Sequence, residues 1–503
     1  MPEPAGPQER EPGVPPVVWR PVLAMAAVLG TVLLILSARY GYHRDELYFR
    51  AAGRHLDWGY PDQPALVPLV ARAITGLFGD SLVLLRTPSA LLTAAGVVLA
   101  ALTARELGGG RRAQLLTAGA YAVCPFIVAV GHLFSTATFD VFASTALVWL
   151  VVRWTRIRDG WSPLAAGIVA AVALNVKYLV VFLAAALVAG LLISGPRDFL
   201  RRPATFTGAA VAVLAALPGL FWQARHGWPQ LEMSDQIAAE ADFGGRPGFL
   251  PFQLVLTGVV LSWLWIHGLW RLFRSPDLAR VRFLGWTYLL LALVFLVTAG
   301  KPYYLAGLWA ALWAAGAVEI ERQGAPRGTG WAVSVPAYAI TGITTVLTTL
   351  PVYPVDLLAR TPQPYINADA AETVGWPRLV AEVARVHRSL PEDERSRAVI
   401  MTVNYGEAGA IDRYGPALGL PRAYSGHNGY RYFGHPPDTG GPVIFVGAES
   451  ASGLLRFWTD VTVAGRVDNG VGLDNEEQGA AVWICRGPRA PWRELWPRLA
   501  HLS

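Results

Sequence analysis

Charge is scarce in this chain of 503 residues: Asp, Glu, Lys and Arg together make up 16%, against roughly 25% for an average soluble domain. Cysteine is scarcer, with two in the whole chain. Cys124 lies in an apolar run and Cys485 in the polar C-terminal third, so no disulfide between them is expected. No Cys/His set with zinc-ligand spacing occurs. No Asp-x-Asp pair falls on a segment expected outside a membrane, so the chemistry is read as metal-independent, with a divalent cation kept as the unsupported alternative. Nothing points to a nucleic-acid partner either, because the net charge of +6 is accounted for by short basic loops between apolar runs.

Apolar residues are abundant: 53% of the chain is hydrophobic and its mean hydropathy is +0.37. Runs of about twenty residues recur, long enough to cross roughly 30 Å of hydrocarbon. Spans are expected near 17–38, 82–104, 113–131, 136–152, 162–177, 179–194, 204–222, 251–271, 283–299, 303–319 and 330–350, about eleven in all. The stretch 165–193 is broken only by Asn175-Val176-Lys177-Tyr178 and reads as two short helices or one long tilted one. The chain is expected to be a multi-pass protein of the cell membrane, in contact with lipid. Alternate connections carry clustered arginines: Arg105, Arg111 and Arg112, then Arg153, Arg156 and Arg158, then Arg271, Arg274, Arg280 and Arg282. By the positive-inside bias these face the cytoplasm. An odd number of spans then puts the N-terminus inside and the C-terminal domain outside.

Four regions follow. Residues 1–16 form a Pro- and Glu-rich tail expected to be disordered; 17–351 form the membrane domain; 39–81 within it form a long first exterior loop; 352–503 form a soluble α/β domain. In the first loop, Leu47, Tyr48, Ala51, Ala52 and Leu56 recur at helical spacing, and so do Leu66, Leu69, Val70, Ala73, Ile74 and Leu77. Two interfacial helices are expected there, either roofing a cavity or simply packing on the bundle. In the C-terminal domain, strands are expected at 398–403, 443–446, 461–467 and 480–485, with helices at 376–389 and 406–414.

The segment Tyr42-His43-Arg44-Asp45-Glu46-Leu47-Tyr48-Phe49 puts two carboxylates just past the first apolar run. Asp140 starts the fourth span, Lys177 sits at the turn between the fifth and sixth, and Lys301 precedes Pro302-Tyr303-Tyr304 at the tenth. All are expected at one membrane face. Lysine alone can snorkel to the headgroups, but aspartate has a short stem, so Asp140 argues for a polar cavity. Two ammonium groups suit an anionic phosphate, and a free carboxylate suits a general base.

These segments resemble the GT-C integral-membrane glycosyltransferases of the protein O-mannosyltransferase and aminoarabinose-transferase superfamily, and more closely their bacterial family-39-type members. The resemblance is carried, in order, by Tyr42-His-Arg-Asp-Glu-Leu-Tyr-Phe, Trp58-Gly-Tyr-Pro-Asp-Gln-Pro-Ala-Leu, Phe139-Asp-Val-Phe, Asn175-Val-Lys-Tyr and Gly300-Lys-Pro-Tyr-Tyr-Leu. It covers roughly residues 20–320. Asn404-Tyr-Gly-Glu-Ala-Gly-Ala and Ser425-Gly-His-Asn-Gly-Tyr extend it into the C-terminal domain. The resemblance implies a membrane glycosyltransferase moving mannose or another hexose or pentose from a polyprenyl-phosphate donor to a hydroxyl of a protein, lipid or glycan. It implies Asp45 as base, with Glu46 and Asp140 beside it as further catalytic carboxylates. Lys177, Lys301, Tyr303 and Tyr304 would hold the donor phosphate. Asn404, Tyr405, Glu407, His427 and Asn428 are acceptor-binding candidates, although Asn404 and Glu407 equally suit a helix cap. Where related aminoarabinose transferases carry Lys-Pro in the first loop, this chain has Gln63-Pro64. A transporter or flippase, or a non-catalytic envelope assembly protein, are the competing classes; the clustering of charge at one face and the absence of an inverted repeat speak against transport.

Overall fold

A computed structural model describes residues 14–502 apart from residue 241. The first thirteen residues of the expected tail lie outside the described residues. The rest of that tail is packed: the Pro15 and Pro16 carbonyls accept from Arg105 Nε at 2.9 Å and Gln114 Nε2 at 3.0 Å.

The N-terminal two-thirds is helical: α1 (Trp19–Leu36), α2 (Arg44–Arg54), α3 (Leu66–Phe78), α4 (Leu82–Glu106), α5 (Arg111–Ala122), α6 (Pro125–His132), α7 (Thr136–Ile157) and α8 (Trp161–Leu174). They are followed by α9 (Val180–Ser194), α10 (Pro203–Arg225), α11 (Pro229–Glu240), α12 (Gly245–Leu256), α13 (Val259–Arg274), α14 (Phe283–Val297), α15 (Ala306–Gln323) and α16 (Val335–Thr349). Among the described residues, five helices are long and apolar enough to cross a membrane, or up to seven if each of two bent pairs counts as one span. Every expected span has a helical counterpart, but α8, α9, α14 and α16 are shorter than a full crossing. The stretch 165–193 is two helices. The expected single span at 251–271 is broken instead: α12 and α13 meet at 105°. Gly258 makes that corner at φ +84°, and a Cβ there would stand 2.7 Å from Thr341 Cγ2, so only glycine fits.

The C-terminal domain holds a five-stranded mixed sheet of order β2-β1-β3-β5-β4, from β1 (Val399–Thr402), β2 (Ala423–Ser425), β3 (Val443–Val446), β4 (Trp458–Arg466) and β5 (Ala481–Pro488). β1 runs parallel to β2 and β3; β5 is antiparallel to β3 and β4. The short strand β2 was not anticipated, since three residues carry no readable alternation.

The first loop is not an independent pair of surface helices. Residues 46–53 of α2 are all buried, and Leu47, Tyr48 and Phe49 share one apolar core with Phe134 and Val176 of the bundle and with Leu379, Ile400, Ile411 and Ile444 of the sheet domain. Two glycines allow this approach. A Cβ on Gly406 would stand 2.8 Å from Arg44 Cβ, and one on Gly409 2.8 Å from Leu47 Cβ. Helix Tyr405–Tyr414 therefore lies directly on α2, and the sheet domain is docked rather than tethered.

Candidate active site

Docking is what completes the site. His43 caps α2, its Nδ1 accepting from Asp45 N at 3.3 Å while Glu46 accepts from His43 N at 2.8 Å. This reciprocal cap fixes the first turn of the helix and turns its two carboxylates in different directions. Asp45 faces outward, with 36% of its side-chain surface exposed. Tyr405 reaches it from the sheet domain, donating its hydroxyl to Asp45 Oδ1 at 2.8 Å. Burial and the neighbouring Asp45 charge hold the Tyr405 phenol well above its ordinary pKa, so it remains a donor at neutral pH. Its ring lies 4.9 Å from that of Tyr48, whose hydroxyl donates to Asp62 Oδ1 at 2.8 Å.

Glu46 has a different fate from its neighbour. It is fully buried and takes a two-pronged ion pair from Arg86, Nε to Oε1 at 2.7 Å and Nη2 to Oε2 at 2.8 Å, plus the backbone N–H of Phe134 at 2.8 Å. Arg86 further donates to the carbonyls of Ser37 and Gly41, each at 2.8 Å. A carboxylate so fully engaged has no lone pair left for a substrate. Arg86 itself was missed. An arginine inside an apolar run is a signal the sequence does carry.

Asp140, Lys177 and Lys301 come from three helix ends. Asp140 lies near the start of α7, just past its first turn, and its Oδ1 is buried with no hydrogen-bond partner. Lys177 occupies the corner between α8 and α9, within electrostatic reach of Asp140, Lys301 and Asp45. That corner is fastened to the first loop, because Leu66 N donates to the Asn175 carbonyl at 3.0 Å. The Lys177 ammonium stands 5.8 Å from the Tyr303 ring centroid and 5.3 Å from that of Tyr304, a contact an ammonium makes when it is partly desolvated. Lys301 is 3.8 Å from Glu240 of α11. The chain contains two lysines, and both are here; every other basic side chain apart from histidine is an arginine.

The five acceptor candidates fare less well. All are buried, Asn404 at 7% exposure and Glu407 at 1%. Asn404 and Glu407 cap helix Tyr405–Tyr414 reciprocally, Glu407 N donating to Asn404 Oδ1 at 2.8 Å and Asn404 N to Glu407 Oε2 at 3.2 Å. Burial pushes the Glu407 carboxyl up to about 7. His427 accepts from Tyr405 N at 3.3 Å and stacks on His501. Asn428 N donates to the His501 carbonyl at 3.0 Å. Tyr405 reaches Asp45 with its side chain, and that contact spans 360 residues of sequence, which no local pattern reveals.

Residues 62–222 match the family model described as dolichyl-phosphate-mannose-protein mannosyltransferase. The chain is 24% identical over 307 residues to the lipid A galacturonosyltransferase RgtD of Rhizobium johnstonii; the match covers 58% of this chain and spans 64% of that protein. Its fold is similar to that of ArnT from Cupriavidus metallidurans bound to undecaprenyl phosphate, with a TM-score of 0.61 at 15% identity over 94% of this chain and 100% of that one. The same protein in its apo state matches at 0.61 over 93% of this chain. Family model, curated relative and fold likeness point the same way: the chain is similar to glycosyltransferases, and its own fold is a helical bundle with a C-terminal sheet domain.

Proposed function

We propose that this protein transfers a sugar from a polyprenyl-phosphate donor to a hydroxyl acceptor at the membrane face where Asp45, Asp140, Lys177 and Lys301 meet. The observation that carries it is this convergence, from four separate segments, of an exposed carboxylate with both of the chain's lysines. Transfer needs the acceptor oxygen deprotonated and the departing phosphate stabilised. Asp45 takes the acceptor proton on Oδ2, because Oδ1 is occupied by the Tyr405 hydroxyl. Lys177 and Lys301 stabilise the leaving phosphate, with Tyr303 and Tyr304 holding the Lys177 ammonium in place. Asp140 keeps Lys177 charged and oriented until the donor arrives. Glu46 and Arg86 hold the first turn of α2 rigid. No metal takes part in this step.

The relatives support the donor class: one solved relative carries undecaprenyl phosphate, and the curated relative is a galacturonosyltransferase acting on lipid A. A glycan or lipid hydroxyl is accordingly the first acceptor to try. Transport is the weaker reading, because all four groups sit at helix ends or in the first loop rather than midway along a span. The test is transfer of radiolabelled sugar from a polyprenyl-phosphate donor by purified protein, wild type beside Asp45→Asn. Equal transfer by both removes Asp45 from the chemistry; movement of intact donor across vesicles without transfer favours a flippase.

A further inference from the structure

Behind the candidate active site lies a second group of carboxylates that sugar transfer does not use. Glu372 belongs to the segment entering the sheet domain, and Glu476 and Glu477 to the connection between β4 and β5. One carboxylate oxygen from each lies within 4.8 Å of the others. Ligands held about 2.4 Å from a calcium-type ion stand at most about 4.8 Å apart, so the three oxygens lie within the reach of one such ion.

Acidic clusters are common, but this one has an orphan. Glu477 is 5% exposed, and its Oε1 is buried with no hydrogen-bond partner; Oε2 of Glu372 is buried and unpartnered too. Two desolvated carboxylates facing each other without a donor are costly unless something positive stands between them. Arg44 lies within electrostatic reach of Glu372 but gives no hydrogen bond to the buried Glu372 Oε2 or Glu477 Oε1. Arg44 is engaged by Glu476 Oε2 at 2.6 Å on the side toward Asp45, and Asn404 Nδ2 approaches Glu476 Oε1 at 3.4 Å. Glu407 adds a further acidic charge near Glu476 and Glu477. The loop is held in place independently, since Asn475 Nδ2 donates to the carbonyls of Ala371 and Val374 at 3.2 and 2.9 Å, so the cluster is preorganised.

We propose that Glu372, Glu476 and Glu477 bind a hard divalent cation of calcium type. An all-oxygen carboxylate set selects calcium, magnesium or manganese over zinc or copper, and irregular geometry favours calcium among these. The ion joins the entering segment to the β4–β5 connection. Through the Glu476–Arg44 pair it also joins both to α2, one residue from Asp45. Its role is to brace the docked domain, not to touch the donor.

The experiment uses the full-length protein in detergent, with no sugar donor present, so its result is separate from that of the transfer assay. Calcium chloride is titrated by calorimetry and by thermal melting, with terbium as a luminescent stand-in for calcium. One saturable site and a rise in melting temperature are expected, with a dissociation constant in the roughly 10⁻⁴–10⁻³ M range of exposed modules. Glu477→Gln and Glu372→Gln should each weaken binding by about tenfold or more. Both variants remove the carboxylate repulsion, so each should fold at least as well as wild type without calcium. Absence of saturable binding up to about 10 mM at neutral pH overturns the proposal and leaves a proton shared by Glu372 and Glu477. Binding unchanged in both variants overturns it equally.

Discussion

The two ends of the helix bundle treat buried charge in opposite ways. At the arginine-rich end, Glu106 receives Arg156 at 2.5 Å, Arg105 at 3.2 Å and Arg153 at 3.6 Å. Glu319 receives Arg271 Nε at 2.7 Å and the Ser275 hydroxyl at 3.0 Å. Glu321 accepts from the N–H groups of Gly110 and Arg112 at the start of α5. Each carboxylate is saturated. At the other end, Asp140 keeps a buried oxygen without a partner, and Lys177 rests on two aromatic faces. The lesson is that saturation marks architecture and incompleteness marks a place for a ligand. Arginine, whose planar fork locks geometry, does the first job; lysine, a mobile point charge, is reserved for the second. Asp45 and Glu46 repeat the contrast within one dipeptide.

Substitution, chelation and titration each test that contrast. The largest is Asp45→Asn, which should cut transfer by about 100-fold or more with the melting temperature unchanged; retention of more than about a tenth of wild-type transfer makes Asp45 a bystander. Next, Arg86→Ala leaves Glu46 buried and unpaired, and such losses cost about 3–5 kcal/mol. The expected result is a sharp fall in melting temperature or in folded yield. Asp140→Asn should do the reverse, leaving stability level or improved while transfer falls. If both variants destabilise equally, the two kinds of carboxylate are not distinct.

Smaller effects are expected at the lysines. Lys177→Ala and Lys301→Ala should each weaken donor binding or slow turnover by about tenfold, whereas Arg153→Ala at the opposite end should leave specific activity alone. Chelation of Glu477→Gln protein, which lacks the carboxylate cluster, should change its transfer rate by less than about twofold; full loss, restored by a divalent ion, overturns a metal-free step. The smallest effect concerns Asp62, whose carboxyl is pushed up to about 7, chiefly by burial. A carboxyl that holds its proton more tightly when folded stabilises the fold at low pH and loses that contribution as pH rises through about 7. Melting temperature should therefore decline from about pH 4 to pH 7, and Asp62→Asn should flatten that decline. An unchanged profile means that Asp62 is not the titrating group.

Much of the fold was legible because lipid imposes a simple rule. Apolar runs of the right length had to be helical, and each is, although 113–131 and 251–271 are broken by bends of 54° and 105°. The strand at 443–446 and the helix at 376–389 fell where they were expected. The break at Gly258 was not legible, because hydropathy averages over a corner. The positions of Asp45, Asp140, Lys177 and Lys301 were readable as charges at helix ends. What they do with their neighbours was not, and Glu46 was indistinguishable in sequence from the residue before it.

By itself, then, the sequence determined the class of fold: where the apolar helices run, which charges lie at their ends, and about where the sheet domain begins. Those follow from local hydrophobicity and chain length, which act over a few turns. Tertiary structure alone decided which charges are spent and which are left over. Arg86 satisfies Glu46 across 40 residues, Tyr405 meets Asp45 across 360, and Glu372 faces Glu477 only because two distant segments share one corner. A carboxylate's role is set by what donates to it, and in a folded chain those donors come from far away.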